Sequence, residues 1–329
     1  MNKIKSFLKN NYKIFIIYII IFVVVLFPLP YYVNGPGGIT NIKDRVKIDS
    51  SYKSKGGFYL SYVSEYKGTI ATCLVSLFNK NLDIIKKSDV VIPKSNIEDT
   101  NLIDKIMLKS AYSNATLVAY KSANKDVEIT NTELYIQYLF DESNTDLHIG
   151  DQLVEIENTK VNNLKQVKEI LNKYNENDEV IIKVKHNNKR YVRKAKLIKY
   201  KNSIIMGVGI VELNELKTDP SITYNYQKDE YGSSGGLMLS LNIYNALTKE
   251  DITKGKTIVG TGTIDSEGNV GMIDGIKYKI KGAIKNKVDL FIVPNGNLKE
   301  ALKVKEDNNY KINIIGVDTF EEAIDYLKK

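Results

Sequence analysis

The sequence predicts a mixed α+β protein built as an N-terminal membrane helix, a small β-rich module and a C-terminal α/β domain. Three observations carry this. A run of twenty residues without charge, Ile14 to Val33, lies near the start; short alternating strand-like segments fill residues 127–200; and apolar patterns of strand and helix period alternate from residue 201 onward. At 329 residues, 43% hydrophobic and 26% charged, the rest of the chain has a globular composition.

The run Ile14–Val33 is about 30 Å long as a helix at roughly 1.5 Å per residue, the thickness of a bilayer core. It ends in Phe27-Pro28-Leu29-Pro30-Tyr31-Tyr32, aromatics suited to an interface rather than a small-residue cleavage site, so residues 1–34 are expected to be an uncleaved anchor passing through the lipid bilayer at 14–33. Lys3, Lys5, Lys9 and Lys13 precede it, and the next charge is Lys43. That asymmetry predicts a single-pass cell-membrane protein with a cytoplasmic N-terminus and an extracytoplasmic body. Residues 35–126 follow as a mixed region with a strand at Gly57–Val63 and a helix from Asn101 to about Ala123.

The net charge of +8 includes those four lysines, and the three arginines, Arg45, Arg190 and Arg193, form no cluster, so no nucleic-acid partner is expected. Cys73 is the single cysteine, and His148 and His186 lie far apart in sequence. No disulfide, CxxC site or histidine-rich metal centre can be built from them, and neither metal nor cofactor is expected.

Within 127–200, Leu134–Phe140 reads as a strand, Gly150-Asp151 as a turn before the strand ending at Ile156, and Asn163 as the cap of a helix carrying Leu164, Val167, Ile170 and Leu171. Val180–Val184 and Tyr191–Arg193 read as a hairpin. The segment Ile149-Gly150-Asp151-Gln152-Leu153-x-x-Ile156, followed by Val161 and a helix, resembles a PDZ domain. The resemblance implies a peptide adding as a strand between Tyr135, Ile136 and Tyr138 on one side and Leu164, Val167 and Leu171 on the other. No Gly-Leu-Gly-Phe-like carboxylate loop is legible before Tyr135. The plainer alternative is a β-rich spacer without a ligand.

The chemistry concentrates at Tyr231-Gly232-Ser233-Ser234-Gly235-Gly236-Leu237, a serine among glycines between a strand-like Ile222–Tyr226 and an apolar helical pattern. Gly232, Ser233 and Gly235 offer close backbone approach and N–H groups for an oxyanion. The stretch fits G-x-S-x-G, yet no histidine follows His186, so the α/β-hydrolase order fails and the serine needs another base. In Asp274–Ile284, read as a helix, Ile276, Ile280 and Ala283 form the apolar stripe and Lys279 projects toward it, while Lys277, Lys281 and Lys285 lie nearer solvent. A snorkelling side chain is the bland reading of such a lysine.

Taken together these segments resemble the proteolytic domain of Lon-type serine peptidases. Gly232–Gly236 stands for the family's Gly-Pro-Ser-Ala-Gly, Thr261-Gly262-Thr263-Ile264 for its Thr-Gly-Glu-Ile, and Ile273-Asp274-Gly275-Ile276-Lys277-Tyr278-Lys279 for its Ile-Gly-Gly-Leu-Lys-Glu-Lys. The resemblance implies that Ser234 is the nucleophile, Lys279 the general base and Thr261 a hydroxyl holding the amine, with residues 201–329 as the Lon-type domain. Ser233, Gly235, Thr263 and Asp274 depart from the pattern without removing a catalytic atom. Gly255-Lys256-Thr257 fails as a P-loop because Glu250 occupies the required glycine position, so ATP-independent action is expected.

Anchor, PDZ-like module and peptidase in this order resemble bacterial membrane-anchored PDZ-Lon peptidases of the YlbL type. A weak likeness of Gly57–Val63 and the Asn101–Ala123 helix to the opening elements of a Lon-type domain implies that the PDZ-like module is inserted within it. The implied function is cleavage of unfolded or membrane-associated polypeptides, and the family further implies a homo-oligomeric ring. A catalytically silent adaptor at the membrane and a hydrolase of non-peptide esters or amides are the alternatives.

Overall fold

Pro28 and Pro30 decide how the chain leaves its first helix. In the computed structural model, which describes residues 2–90, 97–227 and 230–329, α1 (Asn2–Val25) stops short of Pro28 and β1 (Pro28–Asn41) begins there. Proline has no N–H to donate and its ring obstructs the preceding turn, so the helix cannot continue through this point. The expected twenty-residue span is thereby corrected: Tyr31–Val33 are hydrogen-bonded into the sheet of the body. The apolar part of α1, Ile14–Val25, measures about 18 Å at roughly 1.5 Å per residue. Among the described residues no helix is long and apolar enough to cross a membrane.

The chain continues through β2 (Gly57–Thr69), α2 (Ile70–Phe78) and β3 (Asp83–Lys86). Thr69 and Thr72 cap α2 reciprocally, each hydroxyl accepting from the other's backbone N–H, at 3.1 and 2.8 Å. The long helix α3 (Ile97–Ser122) follows. Then come β4 (Asp126–Leu139), β5 (Gln152–Ile156), α4 (Leu164–Leu171), β6 (Glu179–His186), β7 (Lys189–Lys196) and β8 (Val208–Asp219). The last part contains α5 (Gly236–Leu247), β9 (Thr257–Gly260), α6 (Ile276–Ala283), β10 (Leu290–Pro294), α7 (Asn295–Asp307), β11 (Ile314–Val317) and α8 (Phe320–Lys328).

One sheet runs β11-β10-β9-β2-β1-β3, so strands from both ends of the chain share it. Its centre is parallel: Ile258 of β9 lies opposite Phe58 of β2 and Leu290 of β10. Central parallel strands are covered on both faces and read as continuous apolar runs, as Leu290-Phe291-Ile292-Val293 does. Phe58, Ile258 and Ile292 pack with α3, α5 and α8. Val259, Phe291 and Val293 pack on the other face with Ile276, Ile280 and Ala301 from α6 and α7.

A second sheet, β8-β4-β5-β6-β7, interrupts this arrangement between α3 and α5. Its first and last strands in the sequence, β4 and β8, pair antiparallel from Asp126↔Asp219 to Leu139↔Val208, a two-stranded stem by which the chain leaves and re-enters the first body. The stem's second strand lies beyond Tyr200, so the β-rich module extends further than the 127–200 boundary. Asn163 caps α4, its Oδ1 accepting from Gln166 N at 2.8 Å, and β6 and β7 form the hairpin, with Val184 opposite Tyr191. Ile149 of the module packs against Ile103 and Ile106 of α3.

Candidate active site

Ser234 lies in the turn that enters α5. Gly232 has φ +73°, a left-handed conformation that costs a residue with a Cβ, and Gly235 is the helix cap. A Cβ on Gly236 would come within 2.7 Å of Ile264 Cγ2 and 2.9 Å of its backbone nitrogen, so only glycine lets the helix start this close to the neighbouring strand. The turn is pinned at the Ser234 carbonyl, which accepts from Gly262 N at 2.8 Å and from Thr261 Oγ1 at 3.0 Å.

Lys279 reaches this serine from α6. Gly275, at φ +74°, opens the helix, and Ile276, Ile280 and Ala283 bury its apolar face, carrying Lys279 into the interior with 5% of its surface exposed. Lys277 and Lys281 turn outward to Asp83 (2.6 Å) and Asn81 (2.9 Å). Lys279 Nζ lies 3.0 Å from Ser234 Oγ and 2.9 Å from Thr261 Oγ1. Burial pulls its pKa down to about 8, with the carboxylate of Asp274 opposing the shift. Thr261 is fully buried.

The N–H groups of Ser233, Ser234 and Gly235 donate to no described residue and are free to face an oxyanion. The N–H of Gly232 is not, since it donates to the Asp104 carbonyl at 3.1 Å. Gly232 therefore shapes the turn and does not serve as a donor. A cleft of about 820 Å³ opens beside Ser234 and Lys279, with Leu60, Leu108, Ala111 and Tyr112 among its walls. At its edge Arg45 and Glu230 form an ion pair at 2.6 Å. Sequence reading missed Arg45, Glu230 and Tyr112, which lie far from the serine in sequence or carry no recognisable local pattern.

The expected peptide groove is corrected by the strand order. Tyr135, Ile136 and Tyr138 of β4 pair with Val211, Ile210 and Gly209 of β8, and on the other side Tyr135 faces Gln152. β8 is an edge strand of the sheet, met by α3 where Ser110 Oγ donates to the Glu212 carbonyl at 2.7 Å. Gly207, at φ +70°, turns the chain into β8, which begins Val208-Gly209-Ile210. Beside it, Leu164 N donates to Glu212 Oε1 at 2.8 Å. Val167 and Leu171 pack in the module core with Val208, whereas Leu164 is 41% exposed. Both histidines lie in this module, His186 Nδ1 being 2.9 Å from Asp151 Oδ1.

Residues 227–328 match the family model of the Lon protease (S16) C-terminal proteolytic domain. Similar curated proteins include the Lon protease of Mesomycoplasma hyopneumoniae (strain 232), 31% identical over 98 residues, covering 30% of this chain and 11% of that protein. The Lon protease of Aster yellows witches'-broom phytoplasma (strain AYWB) is 32% identical over 92 residues, covering 28% of this chain and 11% of its own. The chain thus spans about a tenth of the length of these relatives. Among solved structures, the PDZ domain of the SdrC-like protein from Listeria monocytogenes is similar at 22% identity, covering 26% of this chain and 93% of that one, with a TM-score of 0.23.

Proposed function

We propose that the chain is a serine peptidase of Lon type in which Ser234 is the nucleophile and Lys279 the general base. The observation that carries this is the placement of a buried lysine amine 3.0 Å from Ser234 Oγ and 2.9 Å from Thr261 Oγ1, with no carboxylate of the described residues bonded to it. Oγ attacks the scissile carbonyl carbon as its proton passes to the neutral amine. The oxyanion is received by N–H groups of the Ser233–Gly235 turn. Lys279 then gives the proton to the leaving amine, and water, deprotonated by the same lysine, releases the acyl group. The polypeptide is held meanwhile at the β8 edge and α4, and no nucleotide takes part.

On this reading the body works outside the cytoplasm, held to lipid by α1. Supporting this, Ile14–Val24 are exposed around the whole helix, and each large apolar side chain withdrawn from water gains roughly 1.5–3 kcal/mol. Protease added to intact cells should then digest the body; a body protected until the membrane is opened would overturn this placement.

The deciding experiment is hydrolysis of denatured casein by the full chain without nucleotide, together with labelling by a fluorophosphonate. Ser234→Ala should lose both, and Lys279→Arg should lose turnover, since a guanidinium keeps its proton. Turnover by Lys279→Arg within about tenfold of wild type, less than general-base catalysis normally contributes, would exclude Lys279 as the base. Casein binding with neither labelling nor hydrolysis would favour the silent adaptor.

A further inference from the structure

We propose that Asp274 selects substrates carrying a lysine or arginine side chain next to the scissile bond. The proposal rests on the peptidase reading and names the substrate class of the same cleft. Asp274 lines the cleft that also holds Ser234 and Lys279, and it is solvent-exposed there. Among the described residues that line the cleft, the other charged groups have partners, although Glu230 Oε2 itself accepts no hydrogen bond. Arg45 and Glu230 cancel one another at 2.6 Å, and the Lys279 amine is bonded to two hydroxyls. Asp274 makes no hydrogen bond or ion pair with any described residue, and its charge acts on Lys279 only through space, so its carboxylate oxygens remain open to a donor that enters.

The backbone that carries the carboxylate is held in place. Its neighbour Ile273 is clamped by the buried side chain of Asn297, which accepts from Ile273 N at 2.9 Å and donates to Ile273 O at 3.0 Å. On its other side Gly275 starts α6, the helix that carries Lys279. An anion in a cleft whose walls include Leu60, Leu108 and Ala111 suits a side chain with a long apolar stem and a cationic end. A neutral side chain of the same length would fill the walls and leave the carboxylate desolvated without a partner. An acidic one would be repelled.

The test is digestion of denatured casein by the full chain, with the new termini sequenced by mass spectrometry. Wild type should place Lys or Arg beside the cut about tenfold more often than their share of casein predicts, the scale of one charge-assisted contact. That enrichment should shrink at about 0.5 M salt, where screening is strong. Asp274→Asn should bring it close to one, whatever its absolute rate. An enrichment near one in wild type, or an unchanged enrichment in Asp274→Asn, overturns the proposal and leaves the peptidase reading standing. No cleavage by wild type beyond the Ser234→Ala control overturns the peptidase reading, and the proposal with it. Should Asp274→Asn fail to fold by circular dichroism, inhibition of wild type by peptide boronates ending in lysine or in norleucine decides: about tenfold tighter inhibition by lysine supports the assignment, and equal inhibition overturns it.

Discussion

Thr261 Oγ1 donates its proton to the Ser234 carbonyl oxygen at 3.0 Å, and this fixes which side of the hydroxyl faces Lys279. With the proton committed there, Thr261 has only lone pairs to present to Nζ at 2.9 Å. A neutral amine must then donate one N–H to Thr261, which leaves it free to turn its lone pair toward Ser234 Oγ.

Thr261→Val should therefore slow turnover by roughly one to three orders of magnitude, the range for losing a positioning contact on a general base. The loss should fall on kcat with little change in KM, because Thr261 is buried away from the cleft surface. Thr261→Ser keeps the hydroxyl and should recover most of the rate. Equal loss in both variants, measured on casein-derived peptides, would mean that packing and not amine orientation is at stake.

Activity should follow the deprotonation of Lys279, whose pKa burial lowers to about 8. The neutral amine is the active form, so kcat/KM should rise about tenfold per pH unit below that value and level off above it. Replacing Asp274 with Asn removes a charge that favours the ammonium and should move the rising limb to lower pH. A limb that stays in place would show that Asp274 does not act on the amine. A limb centred in the histidine range would point away from Lys279 altogether, although His148 and His186 lie in the other module.

The same burial makes Lys279 a cost to the fold at neutral pH. Its pKa is depressed in the folded chain relative to the ordinary 10.5, so the folded state resists the charged form. The penalty is complete below about 8 and disappears as pH rises from about 8 to 10.5, which means stability climbs across that window. Lys279→Met should remove the climb and stabilise the inactive protein at pH 7 by up to about 3 kcal/mol, at about 1.4 kcal/mol per pKa unit. Urea denaturation of wild type and variant at pH 7 and pH 10 checks it: a variant less stable than wild type at pH 7 would contradict the argument.

Legibility in the sequence followed the range of each interaction. The serine turn and the lysine helix are local patterns, glycines flanking one residue and an apolar stripe flanking the other, and both were readable. Thr261 became readable only through its resemblance to a family segment, because what it does depends on β9 ending beside the serine turn. Arg45 lies 185 residues from Glu230, and no local pattern announces such a pair. The peptide edge was assigned to β4 because nothing within Leu134–Phe140 reveals that β8, about seventy residues later, occupies its side. Pro28 and Pro30 were different: their consequence for the helix was in the sequence, and counting uncharged residues passed over it.

The corrected edge changes which substitution tests peptide capture. Val167, which the sequence places in the groove, is 5% exposed and packed in the module core, so Val167→Lys would bury a charge and disrupt the module by several kcal/mol. Its loss of binding would report unfolding. Leu164 is 41% exposed in the first turn of α4, next to Glu212 of the edge strand, and Lys168 lies one turn further on the same face. Leu164→Glu should weaken capture of an apolar peptide by about tenfold, the scale of losing one buried leucine contact, with little change in melting temperature. Fluorescence anisotropy of a labelled peptide on the Ser234→Ala chain measures binding without hydrolysis. In the active chain, Leu164→Glu should slow digestion of whole casein while sparing short peptides, because those reach the Ser234 cleft without strand addition at β8. Equal slowing of both would place Leu164 in assembly or folding and remove the β8 edge from the substrate path.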